Sequence, residues 1–262
     1  MTESGMQRPR NALTEGVQGL GWAQEDVMAA ISIPTSAGEV PGHLAIPVTP
    51  GPWPAVVVVH QIYGLDDDIR HIADKFASDG YLAFAPDFLA SGNKLGCLVK
   101  LAQSLSSGEG DHVQQLIGIR QWLADRADCT GKVGITGFCL GGAFAIVMAN
   151  KGFDAAAPNY GQLPKHLNAA LEGACPVVAS YGGLDRSLTG AAAKLKNALQ
   201  EAGVEHDVKE YPQSGHSFMN QSPSPAWMKP VQKLAGLNVG YVDTDADDAW
   251  ERILAMFETA LR

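Results

Sequence analysis

Gly134-Ile135-Thr136-Gly137-Phe138-Cys139-Leu140-Gly141-Gly142 decides the reading of the whole chain. Before it, Lys132 to Thr136 has the pattern of a strand. Beyond it, residues 140–150 are apolar enough for a buried helix. A cysteine therefore stands on a sharp strand-to-helix turn, with glycine two positions to either side. Such a turn strains the backbone of its central residue, and side chains at those flanking positions would collide. Gly137 and Gly141 remove the collisions. The same placement sets Cys139 at a helix N-terminus, where backbone N–H groups and the helix dipole favour negative charge.

The elements around this turn repeat one pattern. Ala55 to Val59 is an unbroken apolar run, as a strand covered on both faces requires. A helix with Ile69, Ile72, Ala73, Phe76 and Ala77 on one face follows, Gly80 ends it, and Tyr81 to Ala85 reads as the next strand. Val113, Leu116, Ile117 and Leu123 mark another amphipathic helix. Beyond the cysteine turn come strands 154–158 and 176–181, helix 189–202 and strand 205–211. A final helix carries Trp250, Ile253, Leu254, Phe257 and Leu261. Ahead of the alternation, Val27 to Ile33 and Gly42 to Ile46 read as two short strands about a turn at Ala37-Gly38. Strand and helix alternating in this way predict an α/β fold with a mostly parallel sheet and helices on both faces. The expected organisation is a flexible N-terminal arm over residues 1–25 and a single domain over 26–262.

Composition narrows the function classes. The 262 residues are 46% apolar and 18% charged, with a formal net charge of -9 and no long basic run, which disfavours nucleic acid or an anionic membrane as main partner. Neither a C-x-x-C pair nor histidine at metal-ligand spacing accompanies Cys97, Cys129, Cys139 and Cys175, so no metal is expected. Cys97, Cys129 and Cys175 read as structural thiols. Met1 to Leu20 contains no continuous apolar stretch, so a cytoplasmic location with reduced thiols is the expectation.

A thiol nucleophile needs a base and an acid that orients the base. In an α/β-hydrolase fold these follow the nucleophile in the order acid, then histidine. Tyr181-Gly182-Gly183-Leu184-Asp185 puts a carboxylate on a glycine turn after one strand, and Ser214-Gly215-His216-Ser217-Phe218 puts a histidine in the next such loop. His216 would accept the thiol proton, and Asp185 would fix its tautomer. Asp154 and Asp207 are alternatives to Asp185, though neither follows a glycine turn. His60 could line the site, whereas His43, His71, His112, His166 and His206 read as surface or loop residues. Two backbone N–H groups would hold an oxyanion: that of Leu140, and one from the loop around Gln61 and Ile62.

These motifs resemble those of the dienelactone hydrolase family (carboxymethylenebutenolidases). The resemblance runs from about Val27 to Phe218 and is carried by Gln61-Ile62-Tyr63-Gly64, Ala85-Pro86-Asp87, Gly137-Phe138-Cys139-Leu140-Gly141-Gly142, Gly182-Gly183-Leu184-Asp185 and Gly215-His216-Ser217-Phe218. It implies hydrolysis of a lactone or enol ester through a thioester, with no cofactor. A small-molecule substrate, no nucleic acid or membrane partner, and a monomer or homodimer are expected with it. Gln61, Tyr63, Phe138, Phe218, Asn220 and Trp227 are the expected substrate contacts. A general carboxylesterase or thioesterase, or a redox sensor on a hydrolase scaffold, are the alternatives.

Three departures refine that expectation. The family's dienelactone enzyme has a glutamate where Gln61 stands, which holds the resting thiol until substrate displaces it. A neutral Gln61 leaves Cys139 to form a standing ion pair with His216. That enzyme also grips its substrate's carboxylate with two arginines, one four residues after the histidine. The matching position is Asn220, and Ser91 to His112 contains no arginine, leaving Lys94 or Lys100 as point charges. A neutral or differently placed ester is expected in consequence. Third, Asn220 to Asp247 is longer and carries Pro223, Pro225, Pro230 and Trp227, which fits a lid or half-pocket as well as packing or a dimer contact.

Overall fold

The structure is a computed structural model describing residues 28–90, 94–222 and 224–262; the side chains of residues 28, 29, 94 and 227 fall outside it. The predicted arm over 1–25 lies outside the described residues. Among the described residues there are eight strands: β1 (Met28–Thr35), β2 (Gly38–Ala45), β3 (Trp53–Val59), β4 (Leu82–Pro86), β5 (Cys129–Phe138), β6 (Ala155–Asn159), β7 (Val177–Gly182) and β8 (His206–Tyr211). They form one sheet in the order β1-β2-β4-β3-β5-β6-β7-β8. β1 pairs antiparallel with β2, and β2 with β4; every other pairing is parallel.

β3 shows why both faces need helices. Ala55, Val57 and Val59 enter one apolar cluster, while Val56 and Val58 enter the other. Successive side chains on a strand point to opposite faces, so a run apolar at every position buries only if both faces are covered. Each valine removed from water contributes about 1.5–3 kcal/mol. One face is covered by α1 (Asp67–Ser78) and α8 (Asp243–Leu261), whose Phe76 and Trp250 rings lie 4.6 Å apart. On the other lie α2 (Lys94–Ser107), α3 (Asp111–Ala124), α4 (Leu140–Met148), α5 (Leu167–Leu171) and α6 (Ala191–Glu201). The short α7 (Lys229–Ala235) lies between β8 and α8 in the chain. Among the described residues no helix is long and apolar enough to cross a membrane.

The α/β-hydrolase architecture follows, with some differences in detail. α2 had no counterpart in the sequence pattern. Its Leu101 is buried, but Leu95 and Val99 are exposed, and apolar residues on the solvent side blur the helical period. His43 and His112 are buried rather than surface residues. His43 faces α1 and pairs with Asp74 at 2.6 Å, while His112 packs edge-on against Phe88, with ring centres 5.3 Å apart. Cys97, Cys129 and Cys175 are half-buried, and burial pushes the Cys175 thiol up to about 12.

Candidate active site

The pairings Val59 with Gly137, Phe138 with Asn159, and Gly182 with Tyr211 align the C-terminal ends of β3, β5, β6, β7 and β8. Loops leaving those ends converge, as sites in open α/β sheets do. Between β5 and α4, Cys139 takes φ 56 and ψ -112. A non-glycine residue held at positive φ costs on the order of 1–3 kcal/mol and persists only where its surroundings enforce it. The enforcement is visible. A Cβ on Gly137 would lie 2.1 Å from the Gly141 carbonyl oxygen, and one on Gly141 would lie 2.1 Å from that of Val59. The Cys139 N–H is held by the Asn159 carbonyl at 3.1 Å.

Asp185 follows β7 and is 1% exposed. One of its carboxylate oxygens accepts from the Ser187 hydroxyl at 2.6 Å and the Ser187 N–H at 3.0 Å; the other lies 2.6 Å from His216 Nδ1. His216 sits on the loop after β8, and its own N–H donates to the Leu237 carbonyl at 2.8 Å. Cys139 lies close enough to the ring to favour its protonated form. Burial of the ring opposes protonation, but the Asp185 hydrogen bond and the nearby Cys139 and Asp185 outweigh it, lifting His216 to about 10. Asp185 and His216 are therefore hydrogen-bonded, with Cys139 beside them. Asp154 pairs instead with Lys132 and Arg120, and Asp207 with Arg252.

Leu140 is the first residue of α4, where helical N–H groups have no partner within the helix. Ile62 lies on the turn after β3, which the Gly64 N–H closes onto the Gln61 carbonyl at 3.3 Å. Gln61 is buried, and its side-chain oxygen accepts from the Ser217 hydroxyl at 2.8 Å. Ser217 itself has φ 60, so Gln61 ties down a strained residue next to His216. His60 is fully buried behind this turn rather than lining it. Its Nδ1 lies 2.5 Å from the Gln61 carbonyl, and its Nε2 accepts from the Phe88 N–H at 3.2 Å. Burial lowers its pKa and keeps the ring neutral.

The other expected substrate contacts separate. Phe218 is fully buried, with Tyr211 and Tyr160 at ring distances of 4.9 and 5.6 Å, and belongs to the core. Phe138 is equally buried and reaches only a cleft of about 120 Å³ beside α1 and α8. Asn220 is buried, accepts from the Tyr160 hydroxyl and donates to Asp68 at 2.6 Å. Tyr63 accepts from the Gln232 side chain on α7 at 3.0 Å. The Trp227 side chain lies outside the described residues.

Tyr160 had no signal in the sequence. It has φ 39, is fully buried, and its ring centre lies 5.3 Å from that of His216. Burial, reinforced by the nearby Asp68 and Cys139 charges, holds its phenol well above the usual range, so it stays a neutral donor. Residues 224–242 form one wall beside the site and are tied to the fold at several points. The Val242 N–H donates to the Phe218 carbonyl at 3.0 Å, and a Cβ on Gly215 would lie 1.7 Å from the Asn238 carbonyl oxygen. Between this wall and the Asp185 turn lies an open cavity of about 900 Å³, bordered by Ser217 and Asn220.

A cysteine on a strand-to-helix turn, followed by an acid and a histidine from later strand ends, is the arrangement of an α/β-hydrolase. Residues 40–261 match the model of the dienelactone hydrolase family, and the chain belongs to that family. A Yersinia pestis protein, provisionally named a carboxymethylenebutenolidase, is 30% identical over 245 residues, covering 86% of each chain. An Escherichia coli O157:H7 protein with the same provisional name is 30% identical over 251 residues, covering 87% of this chain and 85% of that one. A Klebsiella pneumoniae crystal structure, provisionally described as a dienelactone hydrolase, superposes with a TM-score of 0.70 at 27% identity, over 88% of this chain and 98% of that one. Membership makes the chain a hydrolase of the ester and lactone type acting on a small molecule.

Proposed function

We propose that the chain is a cysteine-dependent hydrolase that opens a lactone or enol ester through a thioester. The observation that carries this reading is the Asp185–His216 hydrogen bond with Cys139 beside it on its strained turn. The Cys139 thiolate adds to the ester carbonyl, forming a C–S bond and an oxyanion. The N–H groups of Leu140 and Ile62 hold that oxyanion. Collapse breaks the C–O bond, and His216 gives its proton to the departing oxygen, which in a lactone stays tethered to the acyl group. Water then attacks the thioester carbonyl as His216 takes its proton. The C–S bond breaks, the carboxylic acid leaves and the thiolate returns.

Asp185 holds the imidazole in one tautomer and stabilises its charged form throughout. Because Gln61 is neutral, no carboxylate at that position competes for the thiol, and Cys139 rests as an ion pair with His216. The experiment is hydrolysis of p-nitrophenyl acetate, a neutral lactone and a dienelactone by wild type and Cys139→Ala. Activity in the wild type and its loss in the variant are expected. A variant that turns over at the wild-type rate would remove Cys139 from the chemistry.

A further inference from the structure

The cavity beside the His216 loop carries an unusual charge balance. Its lining contains Arg186, Lys229 and Lys233, and among the described residues lining it there is no carboxylate. This occurs in a chain of formal net charge -9. Arg120, Arg126, Lys132, Lys209, Arg252 and Arg262 each meet an acidic partner, whereas among the described residues no ion pair involves these three, as none involves Arg70, Lys75, Lys100, Lys151, Lys165, Lys194 or Lys196; what sets these three apart is that they share one cavity. Lys229 and Lys233 stand four residues apart on α7, the spacing at which like charges repel. A locally unfavourable arrangement of this kind marks a site whose counter-charge comes from outside.

The cations themselves are exposed, but the wall that carries them is tied to the fold. The Gln232 side chain, 8% exposed, donates to the Tyr63 hydroxyl at 3.0 Å and the Ser224 hydroxyl at 2.8 Å, fastening α7 to the loop that carries Gln61 and Ile62. The Arg186 N–H donates to the Gly236 carbonyl at 2.9 Å. The Arg186 stem crosses Gly236, where a Cβ would lie 2.9 Å from its own. The lining reaches Ser217 and Asn220, next to His216, and stops short of Cys139 and His216 themselves. A group held there lies to one side of the reacting carbonyl. Asn220 is already committed to Tyr160 and Asp68, so charge recognition moves to the α7 wall.

We propose that this cavity is an anion subsite, in which Arg186, Lys229 and Lys233 take a carboxylate or phosphate borne by the substrate away from its scissile ester. The proposal rests on the ester-hydrolase reading for its catalytic meaning. Arg186 supplies a planar fork that matches either anion, and the lysines supply point charges. The test compares wild type with Lys229→Gln/Lys233→Gln and with Arg186→Gln on p-nitrophenyl butyrate and the p-nitrophenyl half-ester of glutarate. The wild type should prefer the anionic ester at least tenfold in kcat/KM. That ratio should fall at least fivefold in each variant, mainly through KM, and fall with added salt in the wild type. An unchanged ratio would overturn the subsite. Calorimetric titration with inorganic phosphate and with glutarate at low salt separates the two readings and the two anions. If the wild type cleaves no ester but binds either anion at least tenfold more tightly than the lysine variant, the hydrolase reading fails and the subsite stands. Equal or absent anion binding in both proteins would overturn it.

Discussion

Gly141→Ala isolates the contact that brings the two proposed oxyanion donors together. The new Cβ would lie 2.1 Å from the Val59 carbonyl oxygen, 2.7 Å from its carbon and 2.8 Å from the His60 carbonyl oxygen. All three are backbone atoms, so no side-chain rotation relieves the clash. The start of α4 and the end of β3 must part by roughly 1 Å, a misplacement that costs about 10²-fold in rate when it reaches reacting groups. Overpacking of this kind destabilises by about 1–3 kcal/mol. Gly131→Ala is the control: Gly131 has φ +85 but nothing within 4 Å of a Cβ, so it should lose stability through backbone strain alone and keep its rate. Urea unfolding gives the stability change, and kcat/KM on p-nitrophenyl acetate gives the rate. A Gly141→Ala enzyme with wild-type kcat/KM and an unchanged unfolding midpoint would refute the reasoning, because the close approach would then have no consequence.

Further predictions concern charge and hydrogen bonding at the same site. His216 is lifted from 6.5 to about 10 in the folded protein, so the stability tied to its proton is fully present below pH 6.5 and is lost as pH rises through about 10. On the His216 side alone this amounts to at most ~5 kcal/mol. Urea unfolding at pH 6.5 and 10.5 should show a smaller fall in His216→Asn than in wild type, and parallel falls would contradict the assignment. Gln61→Glu places a carboxylate beside Ser217 and should slow iodoacetamide alkylation of Cys139 at neutral pH by about tenfold, a change of ~1.4 kcal/mol. An unaltered alkylation rate would show that residue 61 has no hold on the thiol. Asp68→Ala strips the acceptor from the Asn220 side chain and the Gln221 N–H and should cost about 2–3 kcal/mol in urea unfolding. A loss within 0.5 kcal/mol, roughly the scatter of surface substitutions, would mean that water replaces the carboxylate.

Cys139, Asp185 and His216 were legible in the sequence because each occupies a turn whose glycines serve local geometry. Gly137, Gly141, Gly183 and Gly215 stand beside them in the chain, so motif and placement could be read together. The strands were legible for a similar reason, since a run such as Val56 to Val59 has few folded solutions besides a strand covered on both faces. α2 was harder to see because Leu95 and Val99 face outward. Phe138 and Phe218 were misread as substrate contacts because adjacency in a motif does not reveal which way a ring points.

What the sequence by itself determined is therefore local: the strand-helix alternation, the cysteine turn, and the order of acid and histidine. Only the tertiary structure decided what meets across long separations. Tyr160 lies against His216, and Asp68 reaches Asn220 from α1. Arg186 joins Lys229 and Lys233 around one cavity because the chain folds back over Gly215 and Gly236. Such contacts depend on the packing of helices and loops against the sheet. No periodicity or spacing encodes them, and the charge pattern beside the site appears only once that packing is in place.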